Sequence, residues 1–364
     1  MSQPDPQRGE PDAIRVLGPL ARRVRRSLNG DHPGETGISL PPLVDHHVHL
    51  QLATADDAVA GGIAAVVDLG ADPGAIAGIA GTEGLPHVRY AGAFLTAIGG
   101  YPSDRPWRPE GSVRELPSVD GDGDDQADAD IRADVERARE REHHALAGPV
   151  EAAVDEQRSF GASVIKVALN SVAGPVLDRP TLEAIVAAAH ARSLPVAAHA
   201  EGERMAQLAI DAGVDVLVHA PFTERLDDAL LGRAATAGQA WISTLAIHVR
   251  DDAAVAEVAI DNVRRFRAAG GRVLYGTDFG NGELVPGVNP VEVAALVRAG
   301  LAASDVITAL ADPWPDPTPA WTDAGVATFV PGPPPEAERL ADPDAFAAWL
   351  ATARILPAEE LEPC

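Results

Sequence analysis

The sequence contains a single cysteine, and it is the last residue, Cys364. Within one chain that excludes a disulfide framework and a thiolate metal site, and it suits a reducing compartment. Positive charge is also scarce. Lys and Arg number 29 against 54 Asp and Glu, a formal charge of −25. Such a surplus repels phosphate backbones and anionic lipid surfaces, so neither nucleic acid nor membrane is expected as a partner. No run approaches the roughly 20 apolar residues of a membrane span. The opening "MSQPDPQRGEPDAIRVLGPL" lacks a basic segment followed by an apolar core, so no secretory signal is read there. The expectation is a soluble, cytoplasmic protein acting on a small molecule. Aromatic residues are only 4% of the chain, and its apolar content leans instead on Ala, Val, Leu and Ile, which suits closely packed helices and parallel strands.

What is present is globular in character: 46% hydrophobic and 23% charged residues argue against wholesale disorder. From residue 43 onward, short β-branched runs alternate with Ala-rich helical segments. The strand-like runs are "LVDHHVHL" (43–50), "IAAVVDLG" (63–70), "HVRYAGAFL" (87–95) and "SVIKVALN" (163–170), then "PVAAHA" (195–200), "VDVLVHA" (214–220), "AWISTLA" (240–246) and "RVLYGTD" (272–278). Between them, "DRPTLEAIVAAAHARSL" carries Pro180 near its start, where a missing N–H costs nothing, and "EGERMAQLAIDAG" ends on Gly213, a usual helix stop. Eight strands alternating with helices predict a parallel sheet with right-handed crossovers, and eight is the number that closes a (β/α)8 TIM barrel of about 250 residues. A doubly wound open sheet is the alternative, but no Gly-rich phosphate fingerprint follows the first strand.

The barrel is assigned to residues 43–311, with an acidic, Gly-containing surface insertion at 118–147 that turns charged and helix-like toward its end. Residues 1–42 read as polar and irregular. Residues 312–337, with "DPWPDPTPAW" and "VPGPPPE", have a proline density that argues against continuous regular structure. The closing "DPDAFAAWLATARIL" within 312–364 reads as a helix packed back on the body.

The stretch "LVDHHVHLQ" (43–51) places three of the chain's 11 histidines in a run that otherwise reads as a buried strand. Residues two apart share a face, so Asp45, His47 and His49 are predicted to point one way and His46 the other. One such histidine is ordinarily a satisfied core or surface residue. Two on the inward face of a buried strand need buried partners, and a divalent metal is an economical one. Further along, Lys166 lies in "VIKVAL", His199 ends "PVAAHA", His219 ends "VLVHA" and Asp278 ends "VLYGTD". Five strands thus bring metal-capable or ionisable groups to their C-terminal ends, where barrel active sites form.

"DHHVHL", "IKV", "HAEG", "VHAP" and "GTDFG", in that order, resemble the metal-dependent amidohydrolase superfamily, and more nearly its prolidase-like and imidazolonepropionase-like branch. The likeness runs from residue 41 to about 310. It implies a binuclear centre in which His47, His49 and Asp278 hold one divalent ion, His199 and His219 hold a second, and Lys166 bridges them. An ammonium cannot bridge cations, having three donors and no acceptor; in the family that lysine carries a carbamate derived from carbon dioxide. The plainer reading of Lys166, a surface lysine, fits poorly with a barrel strand covered on both sides. Nitrogen and carboxylate donors suit zinc, with manganese, iron or cobalt as alternatives. Two such ions would bring the pKa of a shared water close to neutrality for attack on a carbonyl. Asp278 would be both ligand and general base, its plainer alternative being a helix N-cap.

The resemblance further implies hydrolysis of an amide or other C–N bond in a dipeptide, N-acyl amino acid or cyclic amide, and a small β-sandwich built from both termini. Given the short N-terminal segment, a reduced sandwich-like flank is expected. Where prolidase-like members carry a tyrosine after the fifth-strand histidine, this chain has Glu201, read as favouring a cationic substrate group, or more simply as an acid at a helix start. Tyr101, in "IGGYPSDRPW", and His248, in "TLAIHVR", are further candidate substrate contacts, each with a structural reading beside it. His32, His87, His143, His144 and His190 receive no role, and His46 is expected to pack against a neighbouring element. Lactone or phosphoester hydrolysis on the same metal pair remains an alternative. A mononuclear deaminase-type site fits less well, since such relatives typically lack the lysine and place a glutamate three residues past the fifth-strand histidine. An inactive metal-binding scaffold is disfavoured by the complete ligand set. Barrels of this kind often associate, so a homo-oligomer is left open.

Overall fold

The structure is a computed structural model, and it describes residues 12–29, 31–53, 61–84, 86–118, 148–284, 287–316 and 325–364. The predicted insertion at 118–147 lies outside the described residues apart from Ser118. A short helix α1 (Ala13–Leu17) leads into a hairpin of β1 (Arg22–Arg26) and β2 (Thr36–Leu40). Then follow β3 (Leu43–Val48), β4 (Ile63–Asp68), α2 (Pro73–Ala80), β5 (His87–Tyr90), β6 (Phe94–Ala97) and β7 (Val113–Leu116). After helix α3 (148–159) come β8 (Ile165–Asn170), α4 (Arg179–His190), β9 (Val196–Glu201), α5 (Met205–Asp211), β10 (Val216–Val218), α6 (Asp228–Thr236) and β11 (Ala240–Ile242). The chain continues through α7 (Leu245–Asp251), α8 (Ala253–Ala268), β12 (Arg272–Leu274), α9 (Pro290–Arg298) and α10 (Ala303–Leu310), then β13 (Val326–Pro331), α11 (Pro343–Leu350), β14 (Arg354–Pro357) and β15 (Leu361–Pro363).

All eight expected strands are present and parallel. They lie in a three-stranded sheet, β3-β4-β5, and a seven-stranded one, β12-β11-β10-β9-β8-β6-β7. The third expected strand is split into β5 and β6, because Ala93 N–H leaves the ladder for Gln157 Oε1 (2.8 Å). Gly92, at φ +76°, makes the jog, and a Cβ there would come within 2.3 Å of the same oxygen. Backbone hydrogen bonds link both edges of the three-stranded sheet to the larger one. On one side His46 N donates to Tyr275 O (3.1 Å), Asp278 N to His47 O (2.8 Å) and His49 N to Phe279 O (2.7 Å); on the other, Ser163 N donates to Tyr90 O (2.9 Å).

Strands β3, β4 and β8 are buried along their whole length, the polar Asp45, His46, His47, Asp68, Lys166 and Asn170 included. One face of the parallel strands forms its own cluster, with Val44, Ala65, Val67, Ala197, Val216, Val218, Ile242 and Leu274 among its members. The opposite face, including Val66, Val167 and Leu217, packs into the larger cluster that contains the helices. Helix α4 starts as expected, with Asp178 capping Thr181 N (2.8 Å) and Pro180 in the first turn. Among the described residues no helix is long and apolar enough to cross a membrane.

The terminal segments depart from the irregular structure that their composition suggested. They form one five-stranded antiparallel sheet, β14-β13-β2-β1-β15, so residues 1–42 are not wholly irregular and 312–337 contains a strand. The prolines bracket β13 rather than interrupt it: within "VATFVP" the one proline is its last residue. The predicted final helix is α11, which buries Phe346 and Leu350.

Candidate metal centre

The geometry begins with a break in alternation. The pairing of β3 with β4 shifts register between Asp45 and Val48, and one extra residue on a strand re-aims the side chains beyond it. Asp45 pairs opposite Val66, on the helix-side face. It therefore does not share a face with His47 and His49, contrary to the simple period-two reading. Its carboxylate instead accepts from His47 N (3.1 Å), Thr277 N (3.0 Å) and the Thr277 hydroxyl, tying β3 to the run after β12. His46 turns away, as expected, with Nδ1 2.7 Å from Tyr275 O and Nε2 2.9 Å from Asp312 O.

His47 and His49 meet Asp278. Their Nε2 atoms lie 3.2 and 3.1 Å from Asp278 Oδ1, and one ligand atom from each of the three residues falls within 4.8 Å of the others. The imidazoles continue in a row: His47 to His219 at 4.8 Å between ring centres, then His219 to His199 at 5.1 Å. Lys166 is 1% exposed, with Nζ 5.7 Å from the centre of the Phe94 ring, which also stacks on His49 at 6.0 Å.

Backbone strain aims two of these groups. His219 has φ +70° and Asp278 φ +63°, left-handed conformations that cost on the order of 1 kcal/mol or more in a non-glycine residue. Val216 and Val218 face the strand-side cluster and Leu217 the helices, so regular alternation would send His219 outward; the left-handed residue turns it back to the other imidazoles.

Two of the rings, and Asp278, also have anchors. Gly70 O lies 3.2 Å from His49 Nδ1, and Thr244 Oγ1 lies 2.7 Å from His219 Nδ1. Asn281 Nδ2 donates to Asp278 Oδ2 (2.9 Å). These contacts leave Nε2 of His49 and His219, and Oδ1 of Asp278, for the centre, the pattern in which outer partners orient metal ligands. Gly70 has to be glycine, since a Cβ would lie 2.1 Å from the Phe94 ring.

The electrostatics follow from burial. Burial drives His47 and His219 well below the ordinary imidazole value, so both are neutral and each carries a lone pair. Burial opposes charge on His49 too, but Asp278 beside it outweighs this and raises it. Asp278 would be raised by burial alone; His47, His49 and His219 around it hold it far below the usual carboxylate range. Burial brings the Lys166 amine down to about 7, against the pull of Asp278 and Asp68.

The donors fit a divalent cation. Among the described residues, both ring nitrogens of His47 and Oδ1 of Asp278 are buried without a well-aligned hydrogen bond; the groups beside Oδ1 are the two imidazole Nε2 atoms at 3.2 and 3.1 Å. Buried polar atoms are nearly always paired, and two imidazoles with a carboxylate form a zinc-type donor set.

The other sequence candidates lie around this group. Glu201 Oε2 is 3.1 Å from His199 Nε2 and accepts from Asn170 Nδ2 (2.7 Å). Tyr101 stacks on His199 at 5.1 Å and has Trp107 at 6.1 Å. His248, on α7, lies 4.2 Å from Phe222, which in turn is 6.4 Å from His219. Asn170, Thr244, Asn281, Phe94 and Phe222 were not singled out in the sequence. Asn170 was within reach of it, standing four residues after Lys166 on one strand and so on the same face. Thr244 and Asn281 gave no such signal.

No protein-family model matches the chain, and no curated protein matches it significantly. Solved structures do. A Xaa-Pro dipeptidase with methionine bound in its active site is 20% identical, with a TM-score of 0.62 over 90% of this chain and 87% of that one. Ochratoxinase from A. niger is 21% identical, with a TM-score of 0.55 over 75% of this chain and 70% of its own. The amidohydrolase of bottromycin is 18% identical, with a TM-score of 0.56 over 96% of this chain and 89% of its own. These structures belong to the amidohydrolase superfamily, and the chain shares their fold.

Proposed function

We propose that this protein is a metal-dependent hydrolase that cleaves an amide or other C–N bond of a small substrate at the C-terminal mouth of a closed (β/α)8 barrel. Support for closure comes from the hydrogen bonds that link both edges of the three-stranded sheet to the larger one; the terminal antiparallel sheet is then the reduced flank. The observation that carries the reading is the convergence of His47, His49 and Asp278, with buried donor atoms that lack well-aligned hydrogen bonds. In this reading the three residues hold one divalent ion, zinc in the first instance, and His199 and His219 hold a second. Lys166, converted to a carbamate, would supply an anionic donor to both. Its neutral amine adds carbon dioxide, forming an N–C bond and releasing one proton, and the product is an anion with two oxygens.

Such ions, when bound, activate a water and polarise the carbonyl it attacks. Asp278 would carry the proton chemistry: with Oδ2 held by Asn281, its carboxylate would take the proton of the attacking water and pass it to the leaving nitrogen. Tyr101, Phe222 and His248 present rings near His199 and His219 and would shape the substrate's surroundings. Relatives in fold that are a dipeptidase and an amidohydrolase put amide bonds first among substrates, ahead of lactones and phosphoesters. A mononuclear site is the second reading, favoured by the fact that His47, His49 and Asp278 alone already make a three-donor set.

The test is a screen of the metal-loaded protein against dipeptides, N-acyl amino acids, lactones and phosphoesters, with metal counted per chain. Amide hydrolysis is expected, and Asp278→Asn should lower kcat about 100-fold or more. About two ions per chain are expected, falling to about one in Lys166→Ala, with short carboxylic acids restoring the second. A wild-type protein that binds no divalent metal overturns the reading; one ion per chain selects the mononuclear form.

A further inference from the structure

We propose that Glu201 is a positioning residue that holds His199 in the tautomer protonated at Nε2, so that Nδ1 is the nitrogen His199 offers to the centre. The inference rests on the metal-centre reading above and assigns Glu201 a place behind a ligand rather than on the substrate.

The argument starts at Asn170. Its Oδ1 accepts from Val172 N (3.1 Å) and Ala173 N (3.0 Å), which fixes the orientation of the amide and leaves Nδ2 as the group facing Glu201 Oε2 at 2.7 Å. The same Oε2 lies 3.1 Å from His199 Nε2. Two lone pairs at that distance repel, so the nitrogen carries the hydrogen and donates to the carboxylate. Asn170 Nδ2 stands 3.5 Å from His199 Nε2, at the outer limit for a hydrogen bond, and does not compete with its 2.7 Å contact to Glu201. A neutral imidazole protonated at Nε2 has its one lone pair on Nδ1.

The sheet register makes this local and rigid. In the β8–β9 ladder Asn170 pairs with Glu201 and Ala168 with His199, so donor, carboxylate and ring come from rungs two apart, on one face. Tyr101 stacks on the same imidazole and limits its rotation. His49 and His219 are arranged the opposite way, each with Nδ1 turned to an outer partner. Glu201 thus supplies the carboxylate behind a histidine ligand that fixes tautomer and strengthens the ligand's basicity.

The experiment reads the tautomer directly. Two-bond 1H–15N NMR is recorded on chelator-treated, 15N-labelled protein at alkaline pH, where imidazoles are neutral, with the His199 signals assigned by their loss in His199→Gln. Wild type is expected to show Nε2–H at His199. Glu201→Leu, which removes the acceptor, should give a mixture with Nδ1–H. Glu201→Gln should keep Nε2–H, because its amide oxygen accepts the same two hydrogen bonds. Zinc competition against a chelator should show the weaker of two sites loosened about 10- to 100-fold in Glu201→Leu and largely restored in Glu201→Gln, with the tighter site unchanged. An Nδ1–H tautomer in wild type, or an unaltered tautomer in Glu201→Leu, overturns the proposal. The wild-type spectrum decides even should Glu201→Leu fail to fold. A wild-type protein that binds no zinc would sink the metal-centre reading, while the tautomer would still rule on Glu201.

Discussion

A neutral imidazole has one donor and one acceptor nitrogen, so its neighbours determine what it can hold. His46 and His47 are adjacent in sequence and buried alike, yet both nitrogens of His46 face backbone carbonyls and neither nitrogen of His47 has a well-aligned hydrogen bond. While neutral, the first can donate to only one of these carbonyls; the second keeps a lone pair that the proposed cation would take. Sequence periodicity separated the two correctly but placed Asp45 with His47, because a register shift leaves no mark in residue types. A titration prediction belongs at this scale. Glu292, fully buried on α9, accepts from Ala246 N (2.6 Å) at the start of α7, the turn that carries Thr244. Burial raises its carboxyl from 4.5 to about 7. An acid held above its unfolded value binds a proton in the fold that the unfolded chain has released. Its contribution is complete below 4.5 and is lost as pH rises through 7. Glu292→Gln has no such proton to lose, so its stability relative to wild type should climb between these values, by about 3 kcal/mol if the whole shift is expressed. Urea unfolding across that range measures it, and a constant difference would mean that Glu292 is ionised throughout.

At the scale of elements, the parallel strands were legible because burial on both faces writes itself as largely apolar runs. The flanking sheet was expected from the resemblance alone, not from its own residues. Strand β1 is "RRVRR", and it holds its place through charge: Arg25 bonds Glu362 (3.0 Å) and Arg26 bonds Glu360 (2.9 Å) from the other end of the chain. No local pattern announces a partner more than 300 residues away, and a proline-rich window hid the six residues of β13. One buried hydroxyl helps to join the flank to the parallel strands. Buried Thr328 on β13 donates from Oγ1 to Gly62 O (3.0 Å) and accepts from Leu43 N (3.3 Å), so it ties β13 to the starts of β3 and β4. Thr328→Val keeps the shape and strands both backbone groups, which should cost about 2 kcal/mol in denaturant unfolding. Thr328→Ser should recover most of it. A loss below about 0.5 kcal/mol would show that the joint holds without this hydroxyl.

On the scale of the whole molecule, the proposed ligands are scattered through the sequence and meet only when the strands do. His47 and His49 come from the three-stranded sheet, Lys166, His199 and His219 from the seven-stranded one or its ends, and Asp278 from the run that links the two. That these residues end strands could be read from the sequence; that their ends converge follows from the backbone hydrogen bonds between the two parallel sheets, which no local pattern shows. The same convergence couples metal binding to folding. An ion bound by the assembled centre has far weaker sites in the unfolded chain, so free metal at 100 times its dissociation constant should stabilise the fold by about 2.7 kcal/mol. With an unfolding entropy of about 2.1 cal/mol/K per residue, a chain of 364 residues should melt about 3–4 °C higher. Thermal scans after chelation and after return of zinc measure the shift. Calcium, which prefers oxygen ligands, should produce little of it, and Asp278→Asn should reduce the response to zinc. A melting temperature indifferent to chelator and zinc alike would mean that these strand ends meet without forming a cation site.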